Sequence, residues 1–220
     1  MQDLLGWAMI EPDAAWKKFT AVLEHQSADG QLPRGWVPDS KIRGGGLNAL
    51  NFRDGAVWLI FTGSILANWQ HETVMDEPYP FDDDSKGTVY DHICRAYESM
   101  ANDRGEHGLS LLGEGDWNDA LTGPGRNGKG ETLMLSSTLV YALKLFLPWV
   151  RQRRDSKREK EIETIIAELS SAVEEHGWKG DRYCRGYDDD GNPFGVETDK
   201  DAQVWLNAQT WPILAGIASP

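Results

Sequence analysis

The chain has 220 residues, 40% of them hydrophobic and 26% charged, a balance typical of a soluble globular protein of one domain. The formal net charge of −13 argues against a nucleic acid or an anionic membrane as a partner, because both attract clustered Lys and Arg. Ten tryptophans predict extensive aromatic packing or flat faces on which ligands can stack.

Helical periodicity, with apolar residues three and four apart, recurs along the chain and is interrupted by loops rich in Gly, Pro, Asp and Asn. The predicted helices cover residues 13–28, 55–69, 88–102, 132–150, 156–175 and 201–218. A long loop is expected over 31–53, an acidic loop over 79–84, and a short hairpin around Asp189-Asp-Gly-Asn192. No stretch shows several alternating strands, so the predicted fold class is all-α.

The rhythm of helix, long loop and helix suggests an irregular toroid of helical hairpins, in which the loops at one end converge on a pocket. The last helix is apolar enough to be expected in the interior. The N-terminus lacks the basic start and apolar region of a signal peptide, and we expect no window long enough to span a bilayer. Cys94 and Cys184 lie far apart without metal-ligand spacing, so we expect no disulfide framework, no metal site and a cytoplasmic location.

The most informative stretch is Gly113-Glu-Gly-Asp-Trp-Asn-Asp119, which is followed by a glycine-rich loop over 122–131. Cleavage of a glycosidic bond needs a carboxylic acid that protonates the leaving oxygen, and an aromatic face is the usual platform for a pyranose ring. Asp116, Trp117 and Asp119 supply both kinds of group. This composition is typical of a sugar-cleaving site.

Asp116 and Asp119 are three residues apart, a spacing that on a helical turn places both side chains on one face. Neighbouring carboxylates repel, so one of them would keep its proton to a higher pH and could act as an acid. The pair could serve a hydrolase, or it could belong to an Asp-rich capped turn before a helix. The residues alone leave both interpretations open.

Other motifs accompany this loop, and they are Arg104-Gly-Glu-His-Gly-Leu109, Gly128-Lys-Gly-Glu131, Arg185-Gly-Tyr-Asp-Asp-Asp-Gly191 and Leu206-Asn-Ala-Gln-Thr-Trp211. Together with Gly115-Asp-Trp-Asn-Asp119, in this order, they resemble glycoside hydrolase family 94. That family contains inverting disaccharide phosphorylases, among them cellobiose and chitobiose phosphorylase and the phosphorylase domain of cyclic β-1,2-glucan synthase. The resemblance extends over essentially the whole chain and implies an (α/α)6 helical toroid of the six-hairpin glycosidase type.

The resemblance also implies an activity, namely inverting phosphorolysis of a β-linked disaccharide or oligosaccharide by a glycosyltransferase. Asp119 would protonate the glycosidic oxygen while inorganic phosphate, the co-substrate, attacks the anomeric carbon and gives an α-sugar 1-phosphate. No cofactor, no nucleic acid and no membrane partner of this segment is implied, and the full-length protein is expected to form a homodimer. The implied substrate-binding residues are Trp117, Asp116, Arg185, Gln209 and Trp178.

Several of these residues have structural alternatives. Asp116 could position the acid or set its pKa instead of touching sugar, and Trp178 could pack in the core. Arg185 could form a structural ion pair with the Asp188 cluster. Gln209 needs a hydrogen-bonding partner if it faces the interior, and His107 is expected to order the loop before the acid.

Catalytic domains of this family are longer than the chain, so residues 1–220 are expected to be a partial domain. The N-terminal β-sandwich and the C-terminal part of the barrel would be absent, and apolar residues such as Val140, Leu143, Leu145 and Phe146 would lack partners. Three functions stay open at this point. The first is a phosphorylase active only in a complete protein, the second an inactive or carbohydrate-binding fragment, and the third a hydrolase that uses Asp116 and Asp119.

Overall fold

The structure, a computed structural model, describes residues 1, 3–33, 35, 52–71, 73–118 and 121–218. Two compact units are present: Met1–Leu50 with Gly55–Met100, and Asn51–Asp54 with Ala101–Pro220. Helices predominate in the described chain. The predicted loop over 31–53 lies mostly outside the described residues, and so does Asp119.

The first unit contains the short helix α1 (Asp3–Ala8), α2 (Pro12–Leu23), and most of α3 (Asp54–Leu66) and α4 (Val89–Asn102). Between α3 and α4 lie the 3-10 turns Ala67–Trp69 and Val74–Asp76 and an antiparallel hairpin of β1 (Pro78–Pro80) and β2 (Lys86–Thr88).

Close approach of three helices forms the core of this unit. Pro12 begins α2, since proline fits the first helical turn, and Phe19 on the buried face of α2 is fully buried. A Cβ atom at Gly63 of α3 would lie 2.6 Å from the Phe19 ring and 3.2 Å from Ile93 of α4. The missing side chain at Gly63 therefore lets these helices pack against one another.

The second unit contains α5 (Leu133–Gln152), α6 (Ser156–Ala172), a π-helical turn (Val173–Gly177) and α7 (Leu206–Leu214). Its four-stranded antiparallel sheet has the order β3 (Ser110–Leu111), β4 (Glu131–Thr132), β5 (Gly186–Tyr187) and β6 (Pro193–Phe194). Thr132 caps the start of α5, and Asp155 caps α6 by accepting a hydrogen bond from the Arg158 backbone N–H at 3.2 Å.

Helix α5 is the central element of this unit and contacts both α6 and α7. Contrary to the expectation from sequence, α5 is long and apolar enough to cross a membrane by length and composition alone. The apolar window is 72% buried inside the protein, and the core helix of a soluble protein passes the same test, so this observation is weak evidence for a membrane span.

Several expectations need correction. The chain is mostly helical, and because six short strands are present among the described residues, the expected all-α class holds only approximately. The hairpin around Asp189 is confirmed as β5 and β6. The last helix is only partly interior, because Leu206, Ile213 and Leu214 are exposed, whereas Val140, Leu143 and Phe146 of α5 are fully buried. The apolar surface expected on α5 therefore lies on α7.

Candidate functional site

Strand β4 lies between the motifs singled out in the sequence. Glu131 and Thr132 are consecutive in the strand, so their side chains point to opposite faces of the sheet. Both side chains are buried polar groups, and each binds a different loop.

Thr132 binds the loop that carries the Gly-Asp-Trp-Asn-Asp motif. Its hydroxyl donates to Asp116 Oδ2 at 2.9 Å and accepts from Arg185 Nη1 at 2.7 Å. Arg185 also forms a short ion pair with Asp116, and its Nη2 donates to Asn118 Oδ1 at 3.1 Å. Asp116 and Arg185 are both completely buried.

The loop itself is irregular rather than helical over residues 116–118. The Asn118 backbone N–H donates to Asp116 Oδ1 at 3.0 Å, so both oxygens of this carboxylate accept hydrogen bonds. Trp117 lies between these anchored residues and is 46% exposed, which leaves much of its ring accessible. The expected helical turn from Asp116 is therefore not formed over 116–118.

Glu131 binds the Arg104-Gly-Glu-His-Gly-Leu109 segment on the other face of β4. Its Oε1 accepts the backbone N–H groups of His107 and Leu109, each at 3.1 Å, and its Oε2 lies 2.5 Å from His107 Nδ1. The His107 ring stacks on Tyr187 of β5 with centroids 3.8 Å apart. His107 thus orders this segment, as predicted, through a carboxylate that the sequence did not single out as its partner.

Asp189 holds the glycine-rich loop in shape. It accepts hydrogen bonds from the backbone N–H groups of Asn127 (2.8 Å), Lys129 (2.9 Å) and Gly130 (3.0 Å). Partial burial acts to raise the pKa of Asp189, but these three hydrogen bonds outweigh it and lower the pKa below the usual value. The Asp-rich turn is therefore a structural anchor for the loop.

A polar cavity of about 530 Å³ lies beside this loop, which is ample for a small molecule. Its walls carry both carboxylates and cations, a lining that suits a ligand rich in hydroxyl groups. Six of the lining residues are Arg104, Glu106, Lys129, Glu131, Asp188 and Asp190. Among the described residues, no group of three or more His, Cys, Asp or Glu side chains is placed to hold a metal ion.

Trp178 and Gln209 lie together around Tyr183. Trp178 is 48% exposed and packs edge-on against the Tyr183 ring with centroids 5.1 Å apart. The Gln209 side chain accepts from the Tyr183 backbone N–H at 3.0 Å and donates to its carbonyl at 2.8 Å. Gln209 therefore has partners within the protein, and the exposure of Trp178 does not fit the alternative of core packing.

Arg185 has a different partner from the one considered in the sequence. The ion pair with Asp116 spans 69 positions of the chain, whereas Asp188 accepts hydrogen bonds within its own turn from the backbone of Asp190 and Asn192. Thr132 and Asn118 are further members of this network, and neither was predicted from the sequence. A Thr directly before an apolar helical run is a signal for a helix cap, but nothing local in the sequence indicates its second role with Asp116.

The family model of the glycosyl hydrolase 94 superfamily, catalytic domain, matches residues 1–220. The chain therefore belongs to this family, which agrees with the resemblance of its motifs. One relative, the 3-O-beta-D-glucopyranosyl-beta-D-glucuronide phosphorylase of Paenibacillus borealis, is 37% identical over all of the chain. The solabiose phosphorylase of the same organism is 33% identical over 99% of the chain.

A third relative is the cyclic beta-(1,2)-glucan synthase NdvB of Rhizobium meliloti (strain 1021), which is 29% identical over 98% of the chain. The chain spans 29% and 28% of the lengths of the two phosphorylases and 8% of NdvB. It thus corresponds to less than a third of the length of the curated relatives it matches.

Proposed function

We propose that the chain carries the acid-bearing part of an inverting phosphorylase that acts on a β-linked disaccharide or oligosaccharide. The observation that carries the proposal is the family match over the whole chain, with phosphorylases among its relatives. The mostly helical structure also supports an (α/α)6 toroid as the parent architecture.

In the proposed reaction, Asp119 gives its proton to the glycosidic oxygen as the bond from that oxygen to the anomeric carbon breaks. An oxygen of inorganic phosphate forms the new bond to the same carbon from the opposite face. The products are an α-sugar 1-phosphate and a sugar with a free hydroxyl group, and the Asp119 carboxylate is reprotonated before the next turnover. The role of Asp119 is transferred from the family motif.

The surroundings of Asp116 favour phosphorolysis over hydrolysis. An inverting hydrolase needs a second carboxylate that activates a water molecule, and a retaining one needs a carboxylate that attacks the sugar. Asp116 is completely buried, and both its oxygens already accept hydrogen bonds within the protein. It is thus poorly placed for either task, whereas in phosphorolysis the nucleophile is phosphate.

The exposed faces of Trp117 and Trp178 support a role as sugar platforms, because an accessible indole can cover the apolar side of a pyranose ring. Either residue would then contribute to substrate affinity rather than to proton transfer. The substrates named for the relatives, a glucosyl glucuronide and solabiose, are therefore the first to test, followed by cellobiose, chitobiose, laminaribiose and β-1,2-glucans.

The decisive experiment measures sugar 1-phosphate formed from these substrates with and without phosphate, using the protein as its gene encodes it. We expect phosphate-dependent product, and we expect Asp119→Asn to reduce kcat by about 10²–10⁴-fold, the usual contribution of a general acid. Asp181→Asn is a matched control, since Asp181 is an exposed carboxylate paired with the adjacent Arg182, and it should retain full activity.

Other results would support the alternatives. Free sugar released without phosphate would favour a hydrolase, and saturable sugar binding without turnover would favour a carbohydrate-binding fragment.

A further inference from the structure

We propose that Arg185 is a positioning residue that shapes the acid-bearing loop through Asp116, Thr132 and Asn118 without touching the sugar. This inference rests on the proposed function, because it concerns the loop that leads to Asp119. It replaces the direct sugar contact expected for Arg185 and Asp116 from the sequence.

The Arg185 and Asp116 side chains lie in the interior of the protein. Arg185 and Asp116 are each 0% exposed, so a substrate could not reach either group unless the loop opened. A buried ion pair usually stabilises a protein no more than apolar residues of the same volume, because removing two charges from water is costly. Stability alone therefore does not account for a charged pair beneath this loop.

The guanidinium group of Arg185 binds several parts of the network at once. Its two terminal nitrogens donate to Thr132, Asp116 and Asn118. Asp116 in turn accepts the Asn118 backbone N–H. Arg185 thus restrains the residues on both sides of Trp117, and the side chain at 118 is the last anchor before Asp119.

The network is also joined to rigid secondary structure. Thr132 ends β4 and caps α5, where its side chain accepts a hydrogen bond from the Leu135 backbone N–H at 3.5 Å. The Arg185 backbone N–H donates to Phe194 of β6 at 2.8 Å, and its carbonyl accepts from Leu133 of α5. The loop is therefore held against the sheet and the helix at once.

One hydrogen bond is left unmade in this arrangement. Arg185 Nε is buried without a hydrogen-bonding partner among the described residues, and the guanidinium carbon lies 5.5 Å from the Trp205 ring centroid. An unpaired buried N–H is unfavourable and rare in proteins. The side chain is oriented so that both terminal nitrogens meet the loop network, even though the third nitrogen has no acceptor.

Small displacements of a catalytic group are costly, since a shift of about 1 Å can reduce a rate by about 10²-fold. A lysine at 185 would retain the charge, but a single ammonium cannot reproduce the planar fork that serves three acceptors. We therefore expect Arg185→Lys to lower kcat by about 10- to 100-fold. KM for the sugar should change less than about threefold, since Arg185 makes no contact with the sugar.

Thr132 provides a second variant in case Arg185→Lys folds poorly. Thr132→Val should lower kcat in the same way, and Thr132→Ser, which keeps the hydroxyl, should restore it. Thr138→Val is the matched control, because Thr138 of α5 likewise has a fully buried hydroxyl, which donates to the Met134 carbonyl of its own helix at 2.7 Å. It should leave kcat within about twofold, since the hydrogen bond of its hydroxyl lies within α5.

Two further measurements separate positioning from stability. Amide hydrogen exchange over residues 113–118 should become faster in Arg185→Lys, with or without a known substrate. In a double-mutant cycle, Arg185→Lys and Asn118→Ala should be non-additive in kcat, because both act on one set of contacts.

The inference would be overturned by unchanged hydrogen exchange in the loop of Arg185→Lys, by additive effects in the cycle, or by a large increase in KM at constant kcat. A wild-type protein that forms no sugar 1-phosphate would instead refute the proposed function. In that event the exchange measurement still decides whether Arg185 positions the loop.

Discussion

His92 of α4 is a fully buried histidine with hydrogen-bond acceptors on both sides of its ring. Nδ1 lies 2.6 Å from Gln26 Oε1 and Nε2 lies 3.2 Å from the Tyr79 carbonyl oxygen. The Gln26 amide cannot easily turn over, because its nitrogen donates to the carbonyls of Gly30 and His92. A neutral imidazole has one N–H, so it can donate to only one of the two acceptors.

Burial dominates over the acceptors and lowers the pKa of His92 to about 4 from its usual 6.5. The Tyr79 carbonyl and Asp91 act to raise the pKa, while Arg95 acts to lower it. Between pH 6.5 and 4 the unfolded chain therefore binds a proton that the folded chain does not. As the pH is lowered from 6.5 to 4, His92 should therefore reduce the free energy of unfolding by about 3 kcal/mol.

This prediction can be tested with His92→Gln by urea unfolding at several pH values between 4 and 7. The free energy of unfolding of the variant should lack the part of the pH dependence that comes from the uptake of one proton. Its stability near pH 7 should be lower than that of the wild type. His71→Gln serves for comparison as the removal of a histidine outside the core, because the His71 side chain is 59% exposed. Identical slopes for His92→Gln and the wild type would contradict the assignment.

At the scale of elements, the pairing of β4 with β5 requires glycine at 186. A Cβ atom at Gly186 would lie 2.0 Å from the Glu131 carbonyl oxygen, and a backbone atom cannot yield as the end of a side chain can. We expect Gly186→Ala to destabilise the protein by about 2–3 kcal/mol, as overpacking of a filled interior does.

The measurement is the denaturant midpoint of Gly186→Ala beside that of Gly123→Ala. A Cβ atom at Gly123 would meet nothing within 4 Å, so the second change should be close to neutral. Equal midpoints for the two variants would show that β4 and β5 can move apart at position 186 without loss of stability.

The predictability of an element from the sequence depended on its length. Helices α4 and α5 begin within one residue of the prediction, because each repeats its apolar spacing over several turns. Helix α1 has only six residues and β3 to β6 only two each, so they are too short to show a period. The hairpin of β5 and β6 was the exception, because its turn has a composition with a known backbone preference.

In the candidate site, the features set by local composition could be predicted, and those set by distant residues could not. The loop motif and the accessibility of Trp117 follow from local composition, since a Gly-rich segment with Trp and Asp is seldom interior. The burial of Asp116 could not be foreseen, because its ion-pair partner Arg185 is 69 residues away and its partner Thr132 belongs to strand β4. Pairing of this kind is decided by the sheet register rather than by neighbours in the chain.

At the scale of the whole molecule, the surplus of negative charge should be visible in the salt dependence of stability. A net charge of −13 on 220 residues produces self-repulsion that added ions screen. Raising NaCl from about 10 mM to about 300 mM shortens the screening length several-fold, so we expect Tm to increase by a few degrees.

The variant Arg151→Gln tests the same effect at a higher net negative charge. Arg151 pairs with Glu159 at 2.7 Å and Glu163 at 2.8 Å, and its removal changes the net charge from −13 to −14. The variant should show a steeper rise of Tm with salt than the wild type, as measured by thermal unfolding at each salt concentration. A decrease of Tm with salt in the wild type would mean that such attractive pairs outweigh the overall repulsion.

The opposite orientation of Glu131 and Thr132 on β4 has a consequence for how the chain reaches its native state. A shift of β4 by one position would exchange the two side chains, so that the buried Glu131 would lose the backbone N–H groups of His107 and Leu109 and Asp116 would lose the Thr132 hydroxyl. A buried carboxylate that has lost its donors is a larger penalty than the loss of a few strand hydrogen bonds. We therefore expect the native register of β4 to be favoured by the contacts of both loops, so that pairing of the sheet and assembly of the two loops occur together.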